Sequence, residues 1–273
     1  MAQGFVTVNG ARLWYEDTGV SSGHAVTFVH AGVCDHRQWD TQMAAFAEKY
    51  RVIRFDMRGF GQSELPPGPA SLSDDLGGLL DALGVERSAI IGCSMGGSAS
   101  LDFTLKRPER VSALVLVGAG MSGAEPKIGP GEESVIAEIE AAEQAGDAER
   151  LNAAELRLWV DGPNRTPEQV TPGVRELMAE MNGDTIRRAG EWEHAQPQPL
   201  DPPAVGRLGE VRAPTLVVVG GDDTFNVRET ADALAAGIAD ARKVVMAGLT
   251  HVPNMERPDE FNRLVLDFLA PIW

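Results

Sequence analysis

Cysteine is scarce in this chain. Cys34 and Cys93 are the two present in 273 residues, so there is no disulfide scaffold and no C-x-x-C zinc spacing. Basic residues are also in short supply: 24 Lys and Arg stand against 40 Asp and Glu, a net charge of −16 that repels nucleic-acid phosphate and anionic lipid. No stretch approaches the ~18 apolar residues of a membrane span. The start, Met1-Ala2-Gln3-Gly4-Phe5, has neither the basic patch nor the apolar run of a secretion signal. These absences predict a cytoplasmic protein without nucleic-acid or membrane partners. Low-complexity tracts and internal repeats are missing too, and a hydrophobic content of 43% excludes intrinsic disorder.

What is present is an alternation of short apolar runs and helical spacings. Residues 5–8 and 11–15 flank Asn9-Gly10, a dipeptide that tolerates the positive φ of a tight hairpin turn. Strands are expected at 25–30, 50–55, 88–93 and 111–117, separated by helices at 39–49, 72–83 and 94–106. After Gly120 the rhythm stops. Glu- and Ala-rich helical stretches at 132–149, 151–159 and 174–181 follow, then a Pro-rich exit at Pro197, Pro199, Pro202 and Pro203. The alternation resumes with a strand at 215–219, a helix at 228–236, a strand at 243–246 and a closing helix at 260–268. A chain longer than a typical domain of about 150 residues thus reads as one α/β core, 1–120 and 206–273, interrupted by a helical insertion at 121–205. The sheet should be mostly parallel, with helices on both faces.

The strongest local signal is Gly92-Cys93-Ser94-Met95-Gly96-Gly97, a G-x-S-x-G pattern set between a buried strand and a helix. A sharp strand-to-helix turn pushes the Ser94 side chain outward, and the flanking glycines leave room for the tight backbone. The helix N-terminus then turns free amides toward the same point, where they can stabilise a negative oxygen. A serine hydroxyl needs a base. Of five histidines, His251 lies in the loop between the last strand and the last helix, where it can reach over the sheet. A carboxylate must orient that imidazole, and Gly220-Gly221-Asp222-Asp223 offers two directly after the most apolar strand. Small-residue packing at the elbow, a solvated loop histidine and an Asx-turn are the structural roles that compete with these.

Taken together the chain resembles the α/β-hydrolase superfamily over nearly its whole length. It is most similar to the capped esterases and lactonases related to 3-oxoadipate enol-lactonase, and more distantly to the meta-cleavage C–C hydrolases. His30-Ala31-Gly32 resembles the H-G-x oxyanion loop. Asp56-Met57-Arg58-Gly59-Phe60-Gly61-Gln62-Ser63 resembles the D-x-R-G-x-G-x-S turn. The resemblance implies an α/β-hydrolase fold with a helical cap, and a triad of Ser94, Asp223 and His251 in which Asp223 is preferred over Asp222. It also implies an oxyanion hole from the Gly32 and Met95 amides. Two positions depart from the pattern: Ala31 replaces the usual glycine, and Thr250 stands where glycine commonly precedes the base.

On this basis Val33, Arg58 and Trp159 are expected around the substrate pocket, with a structural ion pair to Asp56 or another carboxylate as the competing role of Arg58, and His30 is expected to support the oxyanion loop. Trp192, Met178 and Met181 either line the lid's underside or pack the cap onto the core. His24 and His36 are expected in surface loops, and His194 in the cap exit. Cys93 reads as a small buried side chain. No cofactor and no metal are called for. The expected chemistry is hydrolysis of a small carboxylic ester or lactone through an acyl-enzyme, by a monomer or homodimer. The alternatives are a C–C hydrolase, a cofactor-free haloperoxidase or perhydrolase, and a non-catalytic small-ligand receptor. Ser94 at the elbow excludes the dehalogenase branches of the superfamily, which place Asp there.

Overall fold

The computed structural model describes residues 1–19 and 23–273. It opens on an antiparallel hairpin, β1 (Ala2–Val8) and β2 (Ala11–Asp17), turned through Asn9 and Gly10 at φ of 46° and 81°. There follow β3 (Ala25–Val29), α1 (Asp40–Ala47), β4 (Arg51–Phe55), a short β5 (Gly68–Ala70) and α2 (Leu72–Ala82). The middle of the core is β6 (Ser88–Cys93), α3 (Met95–Lys106) and β7 (Val111–Val117). Next come α4 (Glu133–Ala145), α5 (Ala148–Leu156), a π-helical turn at Arg157–Asp161, α6 (Val174–Arg187) and a short β8 (Ala195–Pro197). The chain closes with β9 (Thr215–Gly220), α7 (Phe225–Gly237), β10 (Ala241–Met246), α8 (Pro253–Glu256) and α9 (Pro258–Leu269).

Eight strands form one sheet in the order β1-β2-β4-β3-β6-β7-β9-β10, antiparallel at the hairpin end and parallel from β4 onward. Every residue of β3, β6, β7 and β9 is buried, as expected for strands covered on both faces. One face packs Leu76, Leu79, Phe103 and Leu234 against Phe55, Leu114 and Val217. The other packs Trp39, Phe46, Phe261 and Leu269 against Phe28, Ile91 and Leu216. Each such side chain contributes about 1.5–3 kcal/mol of hydrophobic stabilisation. Ser71 caps α2 by accepting from Asp74 N, and Pro258 opens α9, where its missing N–H costs nothing.

Leu156, Val160, Val170, Val174, Met178 and Met181 join the second of these clusters, so the helical stretch after Gly120 is packed onto the core. Met178 and Met181 therefore serve packing. Among the described residues no helix is long and apolar enough to cross a membrane. The two-stranded parallel pair of β5 and β8 was not expected from the sequence. Each strand has three residues, one of them proline (Pro69 and Pro197), too few to show an alternating pattern.

Candidate active site

The carboxyl ends of the parallel strands share one rim of the sheet, the edge where an open α/β fold gathers its ligand-binding loops. Ser94 follows β6 there, at φ 51° and ψ −115°. Asn9 and Ser94 are the non-glycine residues at positive φ among the described residues, and Asn9 is a turn residue. A conformation of this kind costs on the order of 1–3 kcal/mol and persists only where its surroundings enforce it. Here they do. Ser94 N donates to Val117 O (2.9 Å), and Ser94 O accepts from Ser98 N (2.9 Å) and Gly120 N (3.1 Å). A Cβ on Gly96 would collide with the carbonyls of Val29 and His30, and one on Gly97 would sit 2.5 Å from Ala119 Cβ. Only a chain without side chains at those two places lets α3 lie this close to β3 and β7. Ser94 itself is half-buried and Met95 is exposed, so the hydroxyl can meet a ligand.

Asp223 and His251 meet on the neighbouring loops. His251 Nδ1 donates to Asp223 Oδ2 at 3.0 Å, with both side chains almost wholly buried, and Thr224 N donates to Asp223 Oδ1 at 2.8 Å. Asp222 is half-buried, and its N–H joins the opposite loop at Leu249 O (2.9 Å). The register after β9 thus gives the imidazole to the second carboxylate. The bond to Asp223 fixes the proton on Nδ1, which leaves Nε2 free to accept one. Gly118, at φ 48°, ties this pair to the elbow. A Cβ there would lie 3.1 Å from His251 Nδ1 and 3.3 Å from Asp223 Oδ2, while Gly120, two residues on, donates to Ser94 O. Cys93 Sγ, next to Ser94, reaches His251 O at 3.6 Å.

The Gly32 and Met95 amides have no protein acceptor among the described residues. Met95 is the first residue of α3, where an unpaired N–H is expected. The two residues are adjacent: a Cβ on Gly32 would stand 3.6 Å from Met95 Cβ. The loop before Gly32 is tightly held. Ala31 N donates to Gln38 Oε1 (2.8 Å), His30 Nε2 accepts from Met57 N (2.9 Å), and His30 Nδ1 donates to Ala31 O (2.7 Å). Burial pulls the His30 imidazole below its ordinary pKa, which favours the neutral ring that its two bonds require.

Of the pocket residues read from the sequence, Val33 is half-buried against the cluster that contains residues of α5 and α6. Trp159 lays its ring on that of His251, with centroids 4.6 Å apart. Arg58 belongs elsewhere. It is buried in a two-point ion pair with Asp75 (2.6 Å each) and donates to Pro69 O and Asn9 O. It lines a cavity of about 550 Å³ over the outer face of α2 and α3, together with Ser73, Arg107 and Arg110. Of the two roles read for Arg58, the structure shows the ion pair, made to Asp75 and not to Asp56. The expectation for His36 is corrected. Rather than sitting free on the surface, it donates to Asp56 through both N and Nδ1 (2.8 and 2.7 Å) and stacks on Trp14. His24 is exposed and stacks on Trp273, and His194 is exposed just before β8. A smaller cavity of about 260 Å³ opens beside Met95, walled by Leu72, Ala99, Trp192, Pro197 and Pro199.

Cys34 and Cys93 are both buried free thiols. Burial pushes the Cys93 thiol up to about 12, so it carries no appreciable thiolate at neutral pH. Iodoacetamide at pH 7.5 should therefore leave the folded protein unmodified and its activity intact. Rapid carboxymethylation of Cys93 with loss of activity would make it a competing nucleophile.

A profile of the alpha/beta hydrolase fold matches residues 24–258. The chain belongs to the α/β-hydrolase family. Among its relatives is a 2-hydroxy-6-oxo-6-phenylhexa-2,4-dienoate hydrolase of Comamonas testosteroni, 32% identical over 93% of this chain and 90% of the relative. Another is a 2-hydroxy-6-oxononadienedioate/2-hydroxy-6-oxononatrienedioate hydrolase of Paraburkholderia phymatum, 31% identical over 95% of this chain and 91% of that one. Among solved structures, an enol-lactonase from Burkholderia xenovorans LB400 superposes with a TM-score of 0.78 at 26% identity, covering 98% of this chain and 100% of its own. This α/β-hydrolase family member is accordingly a hydrolase. The fold by itself leaves the bond it cleaves open, because α/β-hydrolase scaffolds carry many chemistries.

Proposed function

We propose that this hydrolase cleaves a carboxylic ester or lactone through an acyl-enzyme on Ser94, with His251 as general base and Asp223 as its orienting carboxylate. The observation that carries the reading is the buried Asp223–His251 pair, 3.0 Å apart and joined through Gly118 and Gly120 to a serine held at positive φ. His251 Nε2 takes the Ser94 proton as Oγ attacks the carbonyl carbon. The tetrahedral oxyanion is received by the Gly32 and Met95 amides. His251 then gives its proton to the departing alkoxide. A water deprotonated by the same nitrogen releases the acid and restores Ser94. The stretch 121–205 acts as a cap, with Trp159 and Val33 walling the acyl group and excluding bulk water.

Charge supports a neutral substrate. Cap arginines 150, 165, 175, 187 and 188 are each paired with a carboxylate: Glu138, Glu256, Asp161, Asp184 and Glu191. Arg157 is exposed. Of these pairs only Arg165–Glu256 is buried on both sides, and diverting that arginine to an anionic substrate would strand the glutamate. The cavity beside Met95 is walled mainly by apolar side chains, and its one charged residue, Asp102, is acidic, so it offers an anion no partner. The relatives named as dienoate hydrolases favour a second reading, in which the same serine and histidine cleave a C–C bond beside a ketone. A panel of p-nitrophenyl esters, simple lactones and a meta-cleavage dienone separates the two. Turnover of esters or lactones with negligible cleavage of the dienone is expected. The reverse ranking would replace the ester reading with C–C hydrolysis.

A further inference from the structure

The loop that carries His251 is fastened to the insertion as well as to the core. The π-helical turn Arg157–Asp161 ends a helical stretch, and the last carbonyls of a helix have no partner of their own. Here the His251 loop supplies them. Thr250 is wholly buried, and its hydroxyl donates to Val160 O at 2.7 Å. His251 N donates to Trp159 O at 3.3 Å, on the same residue whose ring faces the imidazole. Arg165 closes the brace. Its Nη2 donates to Val160 O (2.8 Å), its Nε to Asp161 O (3.1 Å) and its Nη1 to Gly248 O (2.8 Å), three residues before His251. Its charge is met by Glu256 at 2.9 Å in a buried pair. Gly162, at φ 77°, lets the turn come close: a Cβ there would lie 2.5 Å from Thr250 Cγ2 and 2.8 Å from Asp222 O.

We infer that Thr250 is a positioning residue for His251, acting through the carbonyls of the turn at Arg157–Asp161, with Arg165 and Glu256 holding that turn against the loop. This rests on the reading of His251 as the base of an ester hydrolase. The insertion is then part of the mounting of the base, fastened to the His251 loop at its middle. The threonine matters because a glycine at 250, the residue common in the family this chain resembles, has no hydroxyl to give Val160. Without that bond the backbone of residue 250 can rotate, and the imidazole it carries loses its fixed approach to Ser94. A displacement of about 1 Å at a catalytic group costs up to about 100-fold in rate.

The test uses Thr250→Val, which deletes the donor but keeps the methyl against Gly162, and Thr250→Ser, which keeps the donor. Thr250→Gly is a second way to remove the hydroxyl should the valine variant fail to fold. Steady-state kinetics on a short p-nitrophenyl ester and the downfield proton NMR signal of His251 Nδ1–H are read together. The valine and glycine variants should lose about 10- to 100-fold in kcat with KM within about twofold, and their Nδ1–H signal should broaden by exchange. The serine variant should restore both. Wild-type kcat with an unchanged signal in the valine or glycine variant would overturn the positioning role, as would a rise in KM with kcat and signal intact. A Ser94→Ala control separates the failures. If it retains turnover, the reading of the site itself falls; if it is inactive while Thr250→Val is normal, only the role of Thr250 falls.

Discussion

Ser94→Ala is expected to give a folded protein whose turnover is lower by on the order of 10⁴ to 10⁶. The loss is large because the nucleophile, its base and the orienting carboxylate act as one unit, and removing the attacking oxygen leaves the oxyanion amides and binding alone. Stability should change little, by about 1 kcal/mol or less, since the half-buried side chain is not part of the packing that enforces the elbow. That packing comes from Gly96, Gly97 and the backbone bonds to Val117, Ser98 and Gly120, none of which the substitution touches. Hydrolysis rates and a thermal melt on the purified variant check both halves. A melt lowered by many degrees would mean that the activity loss reports unfolding instead of chemistry.

Asp223→Asn is expected to lower kcat by about 10⁴ while KM stays near its wild-type value. An asparagine at 223 can turn its NH₂ toward His251 Nδ1, which must then accept, so the ring proton moves to Nε2. That nitrogen can no longer take the serine proton. The geometry survives and the tautomer is wrong. Asp222→Asn, one residue away, should change kcat by less than about threefold, because the loop meets its neighbour there through the backbone bond to Leu249 O. Steady-state kinetics of the two variants side by side give the comparison. A larger loss at 222 than at 223 would reassign the carboxylate and the loop register.

The sheet was legible from the sequence because its strands are local objects. β3, β6, β7 and β9 are buried on both faces and so appear as unbroken apolar runs, and the pauses between them are long enough for the crossover helices. The elbow is legible for the same reason: glycines on either side of Ser94 express a backbone constraint inside six residues. What escaped depends on partners distant in the chain. An ion pair was legible for Arg58, but nothing in its own neighbourhood assigns it to Asp75, 17 residues on, in preference to Asp56. The fixing of His36 by Asp56 and Trp14 is set by how β2 and β4 pair, which no local pattern carries. Thr250 stands between these cases. The sequence shows it as an unusual residue before the histidine, but its acceptor, Val160 O, lies 90 residues away in the insertion.

The most direct test of the serine-hydrolase account is covalent. A fluorophosphonate phosphonylates a serine, with loss of fluoride, only where a base and an oxyanion hole are already assembled around it, so it reads the whole constellation without knowledge of the substrate. Intact-mass analysis followed by peptide mapping should show one adduct per chain, on Ser94, absent from Ser94→Ala and formed far more slowly in Asp223→Asn. An unlabelled wild-type protein, or an adduct on a serine other than Ser94, would contradict the account.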